Sequence, residues 1–284
     1  NTNLSFINRF DFYNQQIINT GFGFNFSKQE NRLWSLKLIN FDFRRLYNRS
    51  ARFDSTLDEF PFLRYSFNTA LVMGTGLSYS SLTPAFRNPN VINKLNVNIE
   101  ESGLLWGFLK QKNKTALNGN FFNKYLRAFV KTDIEFVHNI NFEKSTLVFR
   151  TFAGVGIPIS KADTTLPFFK QYFGGGPNSM RGWPVQGLGV GGQPLAPYTA
   201  KSSRFNDRTG DIQLEGNIEY RFDVAPMFSN ALFLRMAVFT DIGNVWNLKN
   251  TRPDGLPDTT QFNLKYLYKQ LAVSSGVGFR FDFK

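Results

Sequence analysis

The stretch DIQLEGNIEYRF, residues 211–222, alternates apolar and polar side chains without interruption. Every second residue from 212 to 222 is apolar or glycine, and the residues between them are all polar, with three of them charged. Because successive side chains of a β-strand point to opposite faces of a sheet, this stretch predicts a strand with one apolar and one strongly polar face.

The same alternation recurs along the chain, most clearly at 127–140 and 271–284. Reading the sequence with this period gives about ten strands, most of them roughly ten to fifteen residues long, and no helix of any length. The predicted strands lie near 2–12, 17–27, 32–44, 68–82, 91–108, 127–140, 145–158, 211–222, 231–246 and 271–284.

Two architectures have strands of this kind. A soluble sandwich uses strands of about five or six residues, whereas a strand that crosses a bilayer needs roughly 9 to 11. The links between the predicted strands also alternate in length, as in outer-membrane barrels, where the long links are extracellular. The sequence therefore predicts an all-β fold, a transmembrane antiparallel β-barrel, with residues 1–284 as a single domain. The short turns lie near 28–31, 83–90, 142–144 and 223–230, and the long links near 45–67, 109–125, 159–210 and 247–269.

The composition excludes several classes of protein. The chain has 284 residues with 33 Phe, a single His and no Cys. No apolar run reaches the roughly 18 to 20 residues of a transmembrane helix, so a helical membrane protein is excluded. Thiol catalysis, disulfides and cysteine-based metal sites are excluded as well. Because no catalytic motif is present, we expect a protein that is not an enzyme and that has no cofactor and no metal site.

The positive charge does not indicate a nucleic-acid partner. The formal net charge is +12, but Lys and Arg are spread through strands and links rather than clustered. Attraction to anionic lipid headgroups or lipopolysaccharide, or an excess in the solvent-facing loops, explains the charge equally well. The run Gly187–Gly192 has the letters of a dinucleotide fingerprint, but Gln193 and Pro194 follow where that site needs a helix.

The 159–210 link contains the phrase LPFFKQYFGGGPNSMRGW at 166–183. This phrase resembles the signature loop of the BamA/TamA family of outer-membrane assembly proteins. The segments 210–222 and 239–246 resemble the same family in the same order, and the phrase is most similar to the TamA-like branch of Bacteroidetes. The residues that carry the loop motif are Gly174, Gly175, Gly176, Arg181, Gly182 and Trp183.

The resemblance implies a function in the outer membrane of a Gram-negative cell. Family members insert or export other proteins by means of a weak seam and local bilayer thinning, without bond chemistry. The implied partners are the lipid bilayer, lipopolysaccharide, unfolded outer-membrane clients and periplasmic or outer-membrane accessory subunits. A passive pore or secretion channel, and a structural or adhesive barrel, are the alternatives that a charged lumen leaves open.

The chain also departs from the family. Members have a barrel of sixteen strands preceded by POTRA domains, whereas about ten strands and no POTRA domain are readable here. An open sheet of ten long strands would expose two unpaired edges to lipid. We therefore expect this sequence to form part of a larger barrel, and the position of the family's lateral gate stays open.

The resemblance implies that Arg181 reaches from the loop into the lumen. The period-two reading independently points Glu219 and Asp241 inward, on the two strands that follow the loop. A guanidinium offers a planar fork of donors that suits one or two carboxylates. The sequence thus predicts a cluster that links Arg181 to Asp241, Glu219 or both, while Gly182 and the glycines 174–176 allow a tight backbone path.

The same alternation assigns side chains to the lipid face. A charge on this face should cost about 2–4 kcal/mol near the membrane midplane, whereas a lumen substitution such as Gln213→Lys should cost much less. Trp246 is predicted to belong to the aromatic girdle at a membrane interface. The residues predicted to contact lipid are Ile218, Leu234, Val238, Val277 and Phe279.

Overall fold

The computed structural model describes residues 2–9, 13–59, 69–85, 88–112, 120–159, 165–192, 208–227, 232–250 and 258–283. Within these ranges the chain forms ten strands and four short α-helices. The strands are β1 (Thr2–Arg9), β2 (Tyr13–Gln29), β3 (Arg32–Tyr47), β4 (Ala70–Ala85), β5 (Asn88–Ser102), β6 (Phe129–Asn141), β7 (Ser145–Pro158), β8 (Ile212–Met227), β9 (Leu232–Trp246) and β10 (Ala272–Phe283). The helices are α1 (Ala51–Glu59), α2 (Leu104–Lys112), α3 (Asn120–Tyr125) and α4 (Leu267–Gln270).

Each strand pairs antiparallel with its neighbours in the chain, so the sheet runs from β1 to β10 in sequence order. This confirms the predicted all-β antiparallel architecture and the count of ten strands. β1 and β10 do not pair with each other within the described ranges, so the sheet is open there. The links that follow β3, β5, β7 and β9 all leave the sheet at the same ends of its strands. We call this rim of the sheet the long-link edge, and the opposite rim, where the short turns lie, the short-turn edge.

The two faces of the sheet differ as the alternation predicts. On β8, Ile218 and Tyr220 are exposed on one face, which we call the outer face. Gln213 and Glu215 are buried on the other face, which we call the lumen face, beneath the β7–β8 loop. Most of the residues predicted to contact lipid are exposed on the outer face: Ile218, Val238, Val277 and Phe279, with Leu234 half-buried.

The prediction that no helix forms is wrong, and the reason is clearest after β5. The predicted strand 91–108 ends at Ser102, because Gly103 turns the chain with a φ of 78° and lies against Ala128, where a Cβ would come within 2.9 Å of the Ala128 Cβ. The apolar run that follows becomes α2, since a short apolar segment fits a strand or a helix equally well. No helix in the described part of the chain is long and apolar enough to cross a membrane.

A small apolar core lies on the lumen side near the long-link edge. Val72 of β4 and Phe129 of β6 are fully buried against Leu166, and Phe169 packs on this cluster. Leu166 and Phe169 belong to the β7–β8 loop, so burial of their side chains favours a loop that folds back over the sheet. The core therefore positions the first part of the loop.

The girdle assignment of Trp246 is wrong. Its side chain is fully buried, its Nε1 donates to Oε1 of Gln270 at 2.7 Å, and its ring lies 5.4 Å from that of Phe262. The link between β9 and β10 folds back over the strand end and covers the ring. An aromatic cluster that the sequence reading missed lies on the outer face near the short-turn edge, where Trp34 contacts Phe26 and Tyr79 with ring centroids 6.4 and 4.5 Å apart.

Candidate functional site

Arg181 lies over the lumen face of β8 and β9 and contacts both carboxylates that the alternation points inward. Its backbone N–H and its Nε donate to Oδ2 of Asp241 at 3.0 and 2.9 Å, and its Nη2 donates to Oδ1 at 2.6 Å. Its Nη1 donates to Oε2 of Glu219. The guanidinium also stacks on Phe239, with Cζ 3.4 Å from the ring centroid. One side chain thus joins the loop to two neighbouring strands.

Burial and neighbouring charges determine the charge state of Arg181 in this cluster. The Asp241 side chain is 0% exposed and that of Arg181 is 21% exposed. Burial disfavours the charged guanidinium, but hydrogen bonds and charge attraction from Asp241 and Glu219 outweigh it and raise the pKa of Arg181 above its ordinary value. Arg181 therefore stays charged, and the buried carboxylate of Asp241 depends on it for compensation.

Gly182 brings the loop against β10. A Cβ built on Gly182 would lie 2.6 Å from Cβ of Ser274, which is closer than two carbon atoms can approach without movement. Trp183 contributes its backbone: its N–H donates to the Met180 carbonyl at 3.1 Å, and its own carbonyl accepts from the Gly176 N–H at 2.8 Å. Its ring is half-buried. The glycine after Arg181 is thus the point at which the loop reaches a third strand.

The glycines at 174–176 allow the loop to double back on itself. Gly174 pairs with Leu188 in an isolated β-bridge. Gly175 has a φ of +105°, and a Cβ at this position would lie 2.0 Å from the Pro184 carbonyl oxygen. Gly176 also has a positive φ, of +94°. Only glycine adopts this backbone path without strain, so the three residues shape the turn that presents Arg181.

A belt of polar side chains crosses the lumen face from β6 to β9 beneath the loop. Arg150 donates from Nε to Oε1 of Glu135 at 2.6 Å and from Nη1 to Oε2 of Glu215 at 2.9 Å and Oδ1 of Asn217 at 2.8 Å. Asn217 in turn donates from Nδ2 to Oδ1 of Asp241 at 2.9 Å. The belt connects directly to the Arg181 cluster. The alternation of the sequence places Glu215, Asn217 and Asp241 on one face, but it does not show that Arg150 joins them.

The loop also contacts this belt directly. The hydroxyl of Ser179 donates to Oε1 of Glu215, and Nδ2 of Asn217 donates to the Ser179 carbonyl at 3.2 Å. Nε2 of Gln213 donates to the Phe173 carbonyl at 2.9 Å and to Glu215 at 2.7 Å. Gln213 lies on the lumen face, as predicted, but it is buried beneath the loop, so a lysine there would have to displace the loop. The residues 179–182, with their partners on β8–β10, form what we call the Arg181 anchor.

A second anchor holds the earlier part of the loop, at 168–172, and sequence reasoning missed it. Nζ of Lys170 contacts Oε1 of Glu100 on β5 at 2.5 Å. Lys131 on β6 donates from Nζ to the Lys170 carbonyl at 2.8 Å and lies 4.0 Å from the centroid of the Tyr172 ring. The Tyr172 hydroxyl donates to the Thr132 carbonyl at 3.0 Å. We call this set the Tyr172 anchor.

The base of the loop is closed by Asp211, which precedes β8. Its carboxylate accepts from the backbone N–H of Leu166 at 2.9 Å and of Leu248 at 3.3 Å. Burial raises the pKa of Asp211, and these backbone donors act in the opposite direction. The side chain therefore joins the two ends of the loop to the β9–β10 link.

The glycine cluster 187–192 packs against the end of β9. The N–H of Gly191 donates to the Val245 carbonyl at 2.7 Å, and Nδ2 of Asn244 donates to the Gly191 carbonyl at 3.0 Å. The N–H of Gly192 donates to the Thr259 carbonyl at 2.8 Å. These contacts give the glycines a packing role, while Gln193 and Pro194 lie outside the described residues. No group of His, Asp or Glu side chains suited to a metal ion occurs in the ranges that the structure describes.

Comparisons with known proteins agree with this architecture. A model of the Omp85 superfamily domain matches residues 1–283. Among solved structures, BamA from Haemophilus ducreyi lacking POTRA domains 1-3 is similar in fold, with a TM-score of 0.55 at 16% sequence identity. That alignment covers 93% of this chain and 48% of the other, so the chain spans about half the length of the solved protein.

None of the curated proteins compared matches the chain. The superfamily match nevertheless extends over nearly all of it, and the BamA fold is the one that the signature loop implies. Both findings support a relationship of the BamA/TamA type, in which barrels of the Gram-negative outer membrane serve protein assembly or translocation without bond chemistry. The chain belongs to the Omp85 superfamily.

Proposed function

We propose that this protein helps to insert other proteins into the outer membrane or to export them across it. The observation that carries the proposal is the loop held on the lumen face by Arg181, which joins β8 and β9 through Asp241 and Glu219. A loop so placed supports the lumen wall from within. The strands are then free to separate at an edge while the loop keeps the rest of the sheet in register.

The proposed function requires a membrane environment and protein partners, and the two faces of the sheet are consistent with that environment. The outer face contacts lipid, with lipopolysaccharide in the outer leaflet, in a Gram-negative outer membrane. Unfolded outer-membrane proteins are the clients, and periplasmic or outer-membrane subunits deliver them. No catalytic group takes part, because assembly of this kind forms and breaks only noncovalent contacts.

Within the family we assign the chain to the TamA-like branch of Bacteroidetes. The support is the phrase at 166–183, with its aromatic residues before the glycines at 174–176 and its Arg-Gly-Trp end. A phylogenetic tree that includes both branches tests the assignment. Placement among BamA-like sequences would overturn the branch but leave the proposed function intact.

Depletion of the protein in its native host tests the function. We expect the amount of folded outer-membrane proteins to fall when the protein is depleted, and to recover when the wild type or Arg221→Ala is supplied. Arg221 contacts the same Glu219 as Arg181 but is 56% exposed, so it is the matched control. Arg181→Ala should restore less. Unchanged outer-membrane proteins after depletion would overturn the proposal.

A passive pore would behave differently in a planar bilayer. The loop covers much of the lumen face from β5 to β10, which argues against a wide and steady conductance. We expect small or intermittent currents from the wild type. A large, steady conductance together with normal assembly of other proteins after depletion would favour the pore instead.

A further inference from the structure

The link between β5 and β6 leaves and rejoins the sheet at the same place. The N–H of Gly103 donates to the Met73 carbonyl at 2.9 Å, just before α2. The N–H of Arg127 donates to the Leu71 carbonyl at 2.9 Å, just after α3. Both ends of the excursion are therefore fixed beside the first residues of β4, at the long-link edge.

The helix α3 lies against the outer face of the sheet. Asp42 and Arg44 of β3 point to the lumen, where Arg44 stacks on Phe169 of the loop with Cζ 4.0 Å from its ring centroid. Phe43 between them therefore points outward. The Phe121 ring of α3 lies 5.4 Å from the Phe43 ring. The excursion thus folds over the side of the sheet that contacts lipid.

The helices present a set of exposed apolar side chains there. Leu105 and Phe108 of α2 are 53% and 60% exposed, and Leu104 and Phe121 are exposed as well. Leu105 and Leu104 lie three and four positions before Phe108, and residues at those spacings lie on the same side of a helix. Large apolar side chains grouped in this way mark an interaction surface rather than scattered exposure.

Aromatic stacking joins the two helices into one unit. The Trp106 ring lies 4.3 Å from the Phe122 ring with an interplanar angle of 27°. Lys124, which is exposed, and the ring of Tyr125 lie beside them, with Nζ 5.3 Å from the ring centroid. A tryptophan, a tyrosine and a lysine next to exposed Leu and Phe is the composition of a segment that lies at a membrane interface.

We propose that α2 and α3 form an interfacial anchor in the lipid leaflet at the long-link edge, with Leu104, Leu105, Phe108 and Phe121 among the lipid chains. We name lipid as the partner of this surface because the surface continues the lipid-facing side of β3 and β4 without a break, through the contact of Phe121 with Phe43. The anchor fixes the height of the barrel in the bilayer. It does not depend on whether the barrel assembles proteins or conducts solutes.

Site-directed fluorescence quenching tests the anchor, because the chain contains no Cys and a single introduced cysteine can be labelled. An environment-sensitive fluorophore is placed at Phe108→Cys in the protein reconstituted into liposomes. Phe279→Cys on the outer face of β10 and Val185→Cys in the lumen loop are the matched controls, since both side chains are also more than half exposed. Spin-labelled lipids quench the fluorophore, with the label either near the headgroup or deep in the chain.

We expect headgroup-proximal lipids to quench the label at 108 at least about threefold more than the label at 185, because an interfacial helix inserts only roughly 5–10 Å. Deep labels should quench it less than shallow ones. Quenching as weak as at 185 would overturn the proposal, and so would stronger quenching by deep labels. Leu105→Cys repeats the test on the same helix face if the Phe108 variant fails to fold.

Discussion

The same loop is held by two anchors of different chemistry. The Arg181 anchor concentrates its contacts in one cation, which serves two carboxylates and an aromatic ring. The Tyr172 anchor, with the neighbouring stack of Arg44 on Phe169, distributes its contacts over two cation–ring stacks and the ion pair of Lys170 with Glu100. In the first anchor one cation compensates the charge of a fully buried carboxylate, whereas in the second the Glu100 carboxylate is 24% exposed to water.

The difference between the anchors indicates which substitutions should release the β7–β8 loop from the sheet. Removing one partner of a buried pair leaves an uncompensated charge, which is far more costly than losing one of several weak contacts. Asn217 and Asn40 each keep donating to the carboxylate of their anchor, at 2.9 and 3.0 Å, so the difference lies in the water that reaches Glu100 but not Asp241. We therefore expect substitutions in the Arg181 anchor to undock the loop and those in the Tyr172 anchor to loosen it.

Arg181→Ala should have the largest effect. It leaves Asp241 buried without its cation, and the docking free energy of the loop should fall by about 3 kcal/mol, or roughly 100-fold in the docking equilibrium. Met180 is fully buried, so Met180→Cys in a chain without other Cys reports loop opening through its rate of alkylation by iodoacetamide. Arg181→Lys should retain part of the docking, because lysine keeps the charge but not the planar fork.

The matched control for this prediction is Arg221→Ala. Arg221 contacts the same carboxylate, Glu219, but it is 56% exposed, and exposed pairs contribute only about 0–1 kcal/mol. The alkylation rate of this variant should stay within a fewfold of the wild type. Equal rates for the Arg181 and Arg221 variants would contradict the idea that the first anchor depends on one cation.

Gly182→Val tests the contact of the same anchor with β10. The new Cβ would lie 2.6 Å from Cβ of Ser274, so either the loop or the strand must shift, at a cost of about 1–3 kcal/mol. Ser274→Gly removes the opposing carbon and should restore part of the docking in the double variant. Gly278→Val is the control, because nothing lies within 4 Å of a Cβ there. A similar loss of docking in both glycine variants would rule out a local clash.

The two anchors also differ in how far the sequence alone predicts them. Strand faces follow from alternation, so the lumen parity of Glu219 and Asp241 was readable, and the signature phrase singled out Arg181. The Tyr172 anchor was not readable, because its contacts with Glu100 and Lys131 depend on how a long loop folds back across distant strands. The burial of Trp246 depends in the same way on the β9–β10 link. Periodicity describes a strand and its faces, but not what covers them.

Lys170→Met should have a smaller effect than either change in the Arg181 anchor. The side chain loses its ion pair with Glu100, but methionine keeps the apolar stem, and Asn40 still donates to the carboxylate. We expect a loss of about 1.5 to 2 kcal/mol in docking, at the lower end of the range for a hydrogen bond to a charged group. Lys124→Met, at an exposed position of α3, should leave the alkylation rate unchanged. A loss as large as that of Arg181→Ala would show that the two anchors are equivalent.

Tyr172→Phe should have the smallest effect at neutral pH and a distinctive dependence on pH. The variant loses the hydrogen bond to the Thr132 carbonyl, which is worth about 1 kcal/mol. Burial, together with the charges of Asp133 and Glu100, raises the pKa of the Tyr172 hydroxyl above its ordinary value. The docked loop therefore keeps the hydroxyl neutral, while the undocked loop releases the proton at the ordinary pKa of about 10.

The sign of the pH effect follows from this difference. Below about pH 10 the hydroxyl is neutral in both states, and its contribution to docking is fully present. As the pH rises further, ionisation favours the undocked loop by up to about 1.4 kcal/mol per pH unit in the wild type, whereas the phenylalanine variant has no such loss. Lys131 lies beside the ring in both proteins, so the difference between them isolates Tyr172. The introduced thiol at position 180 is the same in both proteins, so its own ionisation on exposure cancels in the comparison. The two alkylation profiles should therefore converge by roughly pH 11; parallel profiles would mean that the hydroxyl of Tyr172 is open to water and that the second anchor is held by its rings and lysines only.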